Sequence, residues 1–203
     1  MPPHKIDRKA LPTDFPTHTH SAEFWVELGR TVATFGFLEE VLVKAYFAIT
    51  GTTSCELHTD EEAAAAVENW SEQLALAMAD TLTPLAEKYA AAVRRSTAAN
   101  FSGIGALEDS LKAIAKIRNA VCHGSWGKPD SSGASTLFYF SRPGKKVSNL
   151  QKFETRIDIP WLKQLRAATL DLACDVIDSV TATGYQFPSS YGPGEPIGKS
   201  TRA

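Results

Sequence analysis

The stretch that decides the fold runs from Ile104 to Gly124 and reads IGALEDSLKAIAKIRNAVCHG. Ile104, Leu107, Leu111, Ile114, Arg118 and Val121 recur at steps of three and four, which places them on one stripe of an α-helix that Gly124 ends. One member of that stripe does not suit a core. A charged side chain is almost never fully buried without a partner, so Arg118 marks a structural ion pair, an aliphatic stem carrying its head to water, or a site that requires a fixed cation. On the same helix Asn119 and His123 are four residues apart and share a face, and Lys112 and Lys116 extend that side one and two turns back. By ideal helix geometry Arg118 lies about 140° around from His123 and about 7.5 Å away along the axis. The two therefore flank one surface without needing to touch.

The neighbouring segments repeat the helical pattern. Ser21 suits the N-cap of a first helix in which Phe24, Leu28, Val32, Phe35, Leu38, Leu42, Ala45 and Ile49 recur until Gly51. Thr59 and Glu62 form a capping box ahead of a second helix with Val67, Trp70, Leu74, Ala77 and Met78 as its apolar face. Thr83 as N-cap, with Pro84 at the first helical position, predicts a shorter third helix. Beyond the polar break at 128–133, Thr136 to Phe140 is aromatic, and Phe153, Thr155 and Ile157 alternate with Glu154, Arg156 and Asp158, which predicts a small β-hairpin. Asp158 and Pro160 then open a last helix carrying Leu162, Leu165, Leu172, Val176 and Val180, closed by Gly184. The expected class is all-α, an antiparallel bundle of four to five helices with a small β-hairpin inserted before the last one. Residues 1–20 and 185–203 lack periodicity and are expected to be a mobile leader and tail around one helical domain at 21–184.

Composition narrows the function classes. A chain of 203 residues with 43% hydrophobic and 22% charged residues has the makings of a globular core. No apolar run approaches the ~18 residues of a membrane span, and the N-terminus lacks the apolar region of a secretory signal; a cytoplasmic protein without a membrane partner is expected. Cys55, Cys122 and Cys174 are odd in number and lack paired short spacings, which argues against a disulfide framework and against structural zinc; they read as reduced, mostly buried thiols. His18 and His20 stand in a Pro/Thr-rich leader without a ligand pattern around them, so neither a metal nor another cofactor is expected. A net charge of −2 excludes a protein that coats nucleic acid by charge alone. Residues 94–128 nonetheless set Arg94, Arg95, Lys112, Lys116, Arg118 and Lys128 against only Glu108 and Asp109. That strip is either a docking place for an anionic group or short anionic chain, or a solvated basic face.

The run Ile117 to Trp126, IRNAVCHGSW, resembles the motif of the HEPN superfamily, in which an Arg is followed by a polar residue, three more residues and a His. The helix order and the hairpin before the last helix extend the resemblance over residues 21–184. It implies a metal-independent endoribonuclease, often a toxin or a phage-defence effector, whose homodimer places two motifs side by side on RNA. Under that resemblance the catalytic residues are Arg118, Asn119 and His123: His123 moves a proton at the 2′-hydroxyl or the leaving oxygen, Arg118 stabilises charge on the phosphorane, and Asn119 orients His123 or holds the phosphate. Lys112, Lys116 and Ser125 would contact the substrate. Some toxin members carry a Tyr, the target of a modifying antitoxin, where this chain has Ser125, so an antitoxin or other regulatory partner of that type is in doubt. Glu39 and Glu40 on the first helix read as surface residues, with reach toward the site as the other reading. The alternative to the enzyme is a non-catalytic dimeric HEPN-like module that binds nucleotide, RNA or a protein partner.

Overall fold

The computed structural model describes residues 5–51, 59–96, 101–141, 151–184 and 187, and within them three of the α-helix starts fall on capping side chains. A first turn leaves four backbone N–H groups without helical partners. Ser21 Oγ accepts from the Phe24 N–H at 3.2 Å and starts α1 (Ala22–Gly51). Thr59 Oγ1 accepts from the Glu62 N–H while the Glu62 carboxylate accepts from the Thr59 N–H, both at 3.1 Å, ahead of α2 (Asp60–Ala79). Asp158 Oδ1 accepts from the Trp161 N–H at 2.8 Å and starts α5 (Ile159–Ala182). The third helix departs from expectation. α3 (Leu82–Arg95) begins after Thr81, two residues before the predicted start, and Thr81 makes no side-chain cap bond. Pro84 falls inside the first turn, where its missing N–H would have had no helical partner, and the earlier start buries Leu82.

α4 (Ile104–His123) ends as the sequence pattern predicts, and the chain passes directly into β1 (Ser125–Trp126), followed by β2 (Ser135–Ser141) and β3 (Gln151–Ile157). The strands form an antiparallel sheet in the order β1-β2-β3, so the expected hairpin gains a third strand of two residues, too short to show any alternation. Ser125 faces Phe138 and Trp126 faces Leu137; Phe138 faces Glu154 and Phe140 faces Lys152. Because side chains alternate across a strand, Leu137, Thr155 and Ile157 line one face, and Phe138, Phe140, Lys152, Glu154 and Arg156 line the other. Burial agrees, since Leu137 and Ile157 are fully buried while Phe140, Lys152, Glu154 and Arg156 are exposed. The architecture is mainly helical, with this small sheet placed before the last helix.

Backbone proximity divides the chain into two compact units. One joins the N-terminal part through Ala33 to Ile117–Ala167; the other joins Thr34–Lys116 to the segment from Ala168 onward. The second unit is packed helices. Leu38, Leu42, Leu85, Tyr89, Leu111, Leu172 and Val176 are buried in one cluster, as the apolar stripes of α1, α4 and α5 predict. Ser179 Oγ donates to the Val176 carbonyl at 2.7 Å, which leaves Tyr89 as the donor in the buried 2.6 Å bond between their hydroxyls. Burial pushes the Tyr89 phenol up to about 12. α2 contributes less than its pattern suggests. Ala77 is its buried residue, while Val67 and Met78, expected to face inward, are 61% and 66% exposed. The stripe of a helix predicts which residues align, and the neighbouring helices decide how much of it is covered.

The first unit surrounds the sheet. Phe24, Leu28, Leu137, Ile157 and Leu162 are buried there. Glu27, only 4% exposed, accepts from Arg166 at 2.7 Å and from Arg30 at 3.1 Å, so α1 and α5 are tied by a paired, buried carboxylate. The end of the leader is packed rather than free. The Trp25 indole N–H donates to the Thr17 carbonyl at 2.9 Å. His20 stacks on Phe24 at 4.7 Å, and its Nε2 is bonded to Ser135 Oγ on β2 at 2.6 Å. Of the tail expected to be mobile, Phe187 is described and packs against the helical core, and the rest lies outside the described residues.

Candidate functional site

α4 carries the candidate residues to its C-terminal end. Arg118 and Asn119 are half-buried there, and His123, the last helical residue, is exposed. Arg118 Nη1 donates to Asn119 Oδ1 at 3.2 Å. The Asn119 carbonyl is therefore turned to the guanidinium rather than to His123, and its amide N–H groups remain for an acceptor such as a phosphate oxygen. The arrangement fixes a planar cation and leaves the imidazole open to solvent, which suits binding of an anion and transfer of a proton.

Gly124 holds this end in place for a reason the sequence pattern did not supply. It is not in the left-handed region, where the described positive-φ glycines are Gly133 and Gly184. A Cβ at Gly124 would lie 2.5 Å from the Ala120 carbonyl oxygen, 2.5 Å from Leu137 Cδ1 and 2.9 Å from the Phe138 carbonyl oxygen. The glycine lets β2 pass against the end of α4. His123 and Ser125, on either side of it, inherit their positions from that contact. Ser125 is exposed on β1.

The basic strip is shorter than the sequence suggests. Lys112 Nζ lies 2.7 Å from the Glu108 carboxylate and 3.0 Å from that of Glu87. Glu108 also receives Arg94 at 2.6 Å. The hydrogen bond from Lys112, then that from Arg94, holds the Glu108 carboxyl below its ordinary range, and the Glu108 and Glu87 bonds push the Lys112 ammonium up. Lys112 and Arg94 thus spend their charge within the helical core unit. Lys116 is exposed and has no ion pair among the described residues. Glu40 is exposed and pairs with Lys44 at 2.6 Å, as a surface residue does. Glu39 differs from the surface reading, being half-buried with its Oε1 shielded from water.

Sequence reading missed His20. Its Nδ1 is 3.1 Å from Thr19 Oγ1, and burial pulls its pKa below the ordinary value, against a raising effect of the Gly127 backbone. Its partner Ser135, 115 positions away, is buried and bonded to the Gly127 carbonyl at 2.9 Å, which makes the pair a strut between leader and sheet. Periodicity carries no signal for such a contact. Cys122 and Cys174 are half-buried, while Cys55 lies outside the described residues. Burial, then Asp178, Asp171 and Asp175, pushes the Cys174 thiol up and keeps it protonated. Among the described residues no three His, Cys, Asp or Glu come together as a metal site, and no helix is long and apolar enough to cross a membrane. Compared with family models, curated proteins and solved structures, the chain matches none.

Proposed function

We propose that this protein is a metal-independent endoribonuclease of HEPN type that cleaves RNA by attack of a 2′-hydroxyl on the neighbouring phosphate. One observation carries the reading: a solvent-open imidazole, His123, closes α4 five residues after a guanidinium, Arg118, that is hydrogen-bonded to its neighbour Asn119. In the reaction the 2′-oxygen forms a bond to phosphorus as the bond to the 5′-oxygen breaks. The proton leaving the 2′-hydroxyl and the proton reaching the 5′-oxygen each need a carrier, and an imidazole suits either transfer near neutral pH. Arg118 lies against the non-bridging oxygens, where its fork stabilises the phosphorane charge, and the Asn119 amide N–H groups add a donor. Lys116 supplies longer-range attraction, with Lys112 secondary because of its carboxylate partners.

Arg118 and His123 point to different sides of α4, about 140° apart in ideal geometry, so two copies about a two-fold axis assemble a fuller site than one. A homodimer belongs to the proposal, and light scattering should show a mass above the 22.0 kDa of the single chain. A toxin or defence role, with an antitoxin or other regulator as partner, goes with the same reading. The Arg118–Asn119 bond and the partial burial of Arg118 favour a second reading, an RNA- or nucleotide-binding module in which the pair grips phosphate without cleaving. Incubation of the purified protein with total RNA in EDTA distinguishes them. Discrete fragments ending in 2′,3′-cyclic phosphate, with DNA untouched, support the nuclease; retention of intact RNA supports the module.

A further inference from the structure

The outward face of the sheet has no part in the chemistry above. Phe138 and Phe140 are two residues apart on β2 and so project from the same face, about 6.6 Å apart along the strand. Phe140 is 56% exposed, an unusual place for a phenyl ring on a strand whose opposite face is buried. Lys152 belongs to this face as the register partner of Phe140, and its Nζ stands 5.5 Å from the centroid of the Phe138 ring. The face therefore carries two rings and an ammonium that stands over one of them, Phe138, while Phe140 is open. It also adjoins the candidate site. Ser125, the register partner of Phe138, follows His123 by two residues, so the His123 and Phe138 Cα atoms are within about 12 Å of each other by chain length and strand spacing.

We infer that this face is a stacking platform for unpaired bases of the RNA whose phosphate is held at Arg118 and His123, with Phe140 as its open ring and Lys152 as its phosphate contact. The inference rests on the nuclease or RNA-module reading of the α4 end. Two observations choose unpaired bases as the occupant. Rings spaced along a strand beside a cation match the way single strands are gripped, bases on aromatic faces and backbone on cations, which tolerates any base because every base has a π-face. The other charges of the face are locally matched: Arg156 is held by Asp130 at 2.9 and 2.6 Å, and Lys152 pairs with Glu154. The Lys152–Glu154 pair is exposed and weak, so a phosphate can replace the carboxylate.

The test measures binding of a fluorescein-labelled 12-nucleotide oligouridylate by anisotropy, in a His123→Ala background so that the probe stays intact. Phe140→Ala should weaken binding about tenfold or more, while a 12-base-pair RNA duplex, whose bases are already stacked, should not sense the change. Phe140→Trp should bind at least as tightly as the parent and add an indole emission that is quenched as the oligonucleotide is titrated in. Urea midpoints matching the parent confirm that the exposed position leaves the fold intact. Equal affinity of Phe140→Ala and parent overturns the platform and leaves the α4 site standing. Failure of the parent itself to bind the oligonucleotide removes the RNA reading with it. Unchanged RNA affinity with a fall in mass by light scattering overturns the platform in favour of a contact between copies of the chain.

Discussion

Gly124 and Gly184 follow helix ends in the same way in the sequence, and the structure gives them opposite requirements. Gly184 sits at φ +85° with nothing within 4 Å of an added Cβ; Gly124 lacks a positive φ but has two backbone oxygens and a buried leucine methyl within 2.9 Å of one. Ordinary carbon–oxygen contacts are about 3.3–3.6 Å, so in Gly124→Ala the Ala120 oxygen or the new methyl must move by about 0.8 Å. Leu137 cannot turn away freely, being fully buried. Overpacking of this kind costs about 1–3 kcal/mol, and the absence of a flexible neighbour points to the upper end. At a urea m-value of about 2 kcal/mol/M the midpoint should fall by about 1–1.5 M. Gly184→Asn, in open space and with a residue that tolerates the left-handed region, should fall far less. Because the clash pushes β2 away from the end of α4, Gly124→Ala should also lower any activity at His123. Urea unfolding followed by circular dichroism decides the matter: a loss below about 0.5 kcal/mol in Gly124→Ala, or an equal loss in both variants, would refute the close-approach argument.

Leu111 is fully buried in the helical core, so Leu111→Ala should destabilise by about 2–5 kcal/mol in the same assay, and a loss well under 1 kcal/mol would mean the α4 stripe faces elsewhere. His20 is held neutral by burial, so the unfolded chain takes up its proton first as pH drops; stability present above the ordinary value of 6.5 should decline below it. Thermal melts between pH 7.5 and 5.5 should show that slope in the parent and a flatter one in His20→Gln, and equal slopes would contradict it. Lys116→Ala should weaken RNA binding more than Lys112→Ala, since Lys112 already serves Glu108 and Glu87; the reverse order in salt-matched titrations would count against the site as drawn.

Local chemistry was legible in the sequence and long-range chemistry was not. Ser21, Thr59 with Glu62, and Asp158 announced their helices because a cap acts within three residues of itself. Thr83 misled because a proline in a first turn is equally at home one or two positions further in. The cores of α1, α4 and α5 followed their stripes except at Val32 on α1, which is 41% exposed, and Val67 and Met78 on α2 stayed exposed too, since a stripe does not say whether another element covers it. β1 escaped notice because two residues have no period. At the site, Arg118 stood out as a cation in an apolar stripe, and the structure finds it half-buried beside Asn119. The pairing of Lys112 with Glu87, the docking of His20 on Ser135 and the crossing of β2 at Gly124 all join residues distant in the chain, and each changes what a neighbouring residue can do.

The proposed role of His123 as proton carrier is decided by single-turnover cleavage of a defined RNA in EDTA, comparing the parent with His123→Ala. Removal of a general acid–base group costs about 10²–10⁴-fold in rate. His123→Ala should lose rate in that range with RNA affinity retained, and Arg118→Lys should also cleave more slowly, because its point charge cannot reproduce the planar grip of guanidinium on phosphate. Cleavage by both variants at the parental rate would contradict that role and leave the end of α4 as a structural helix terminus.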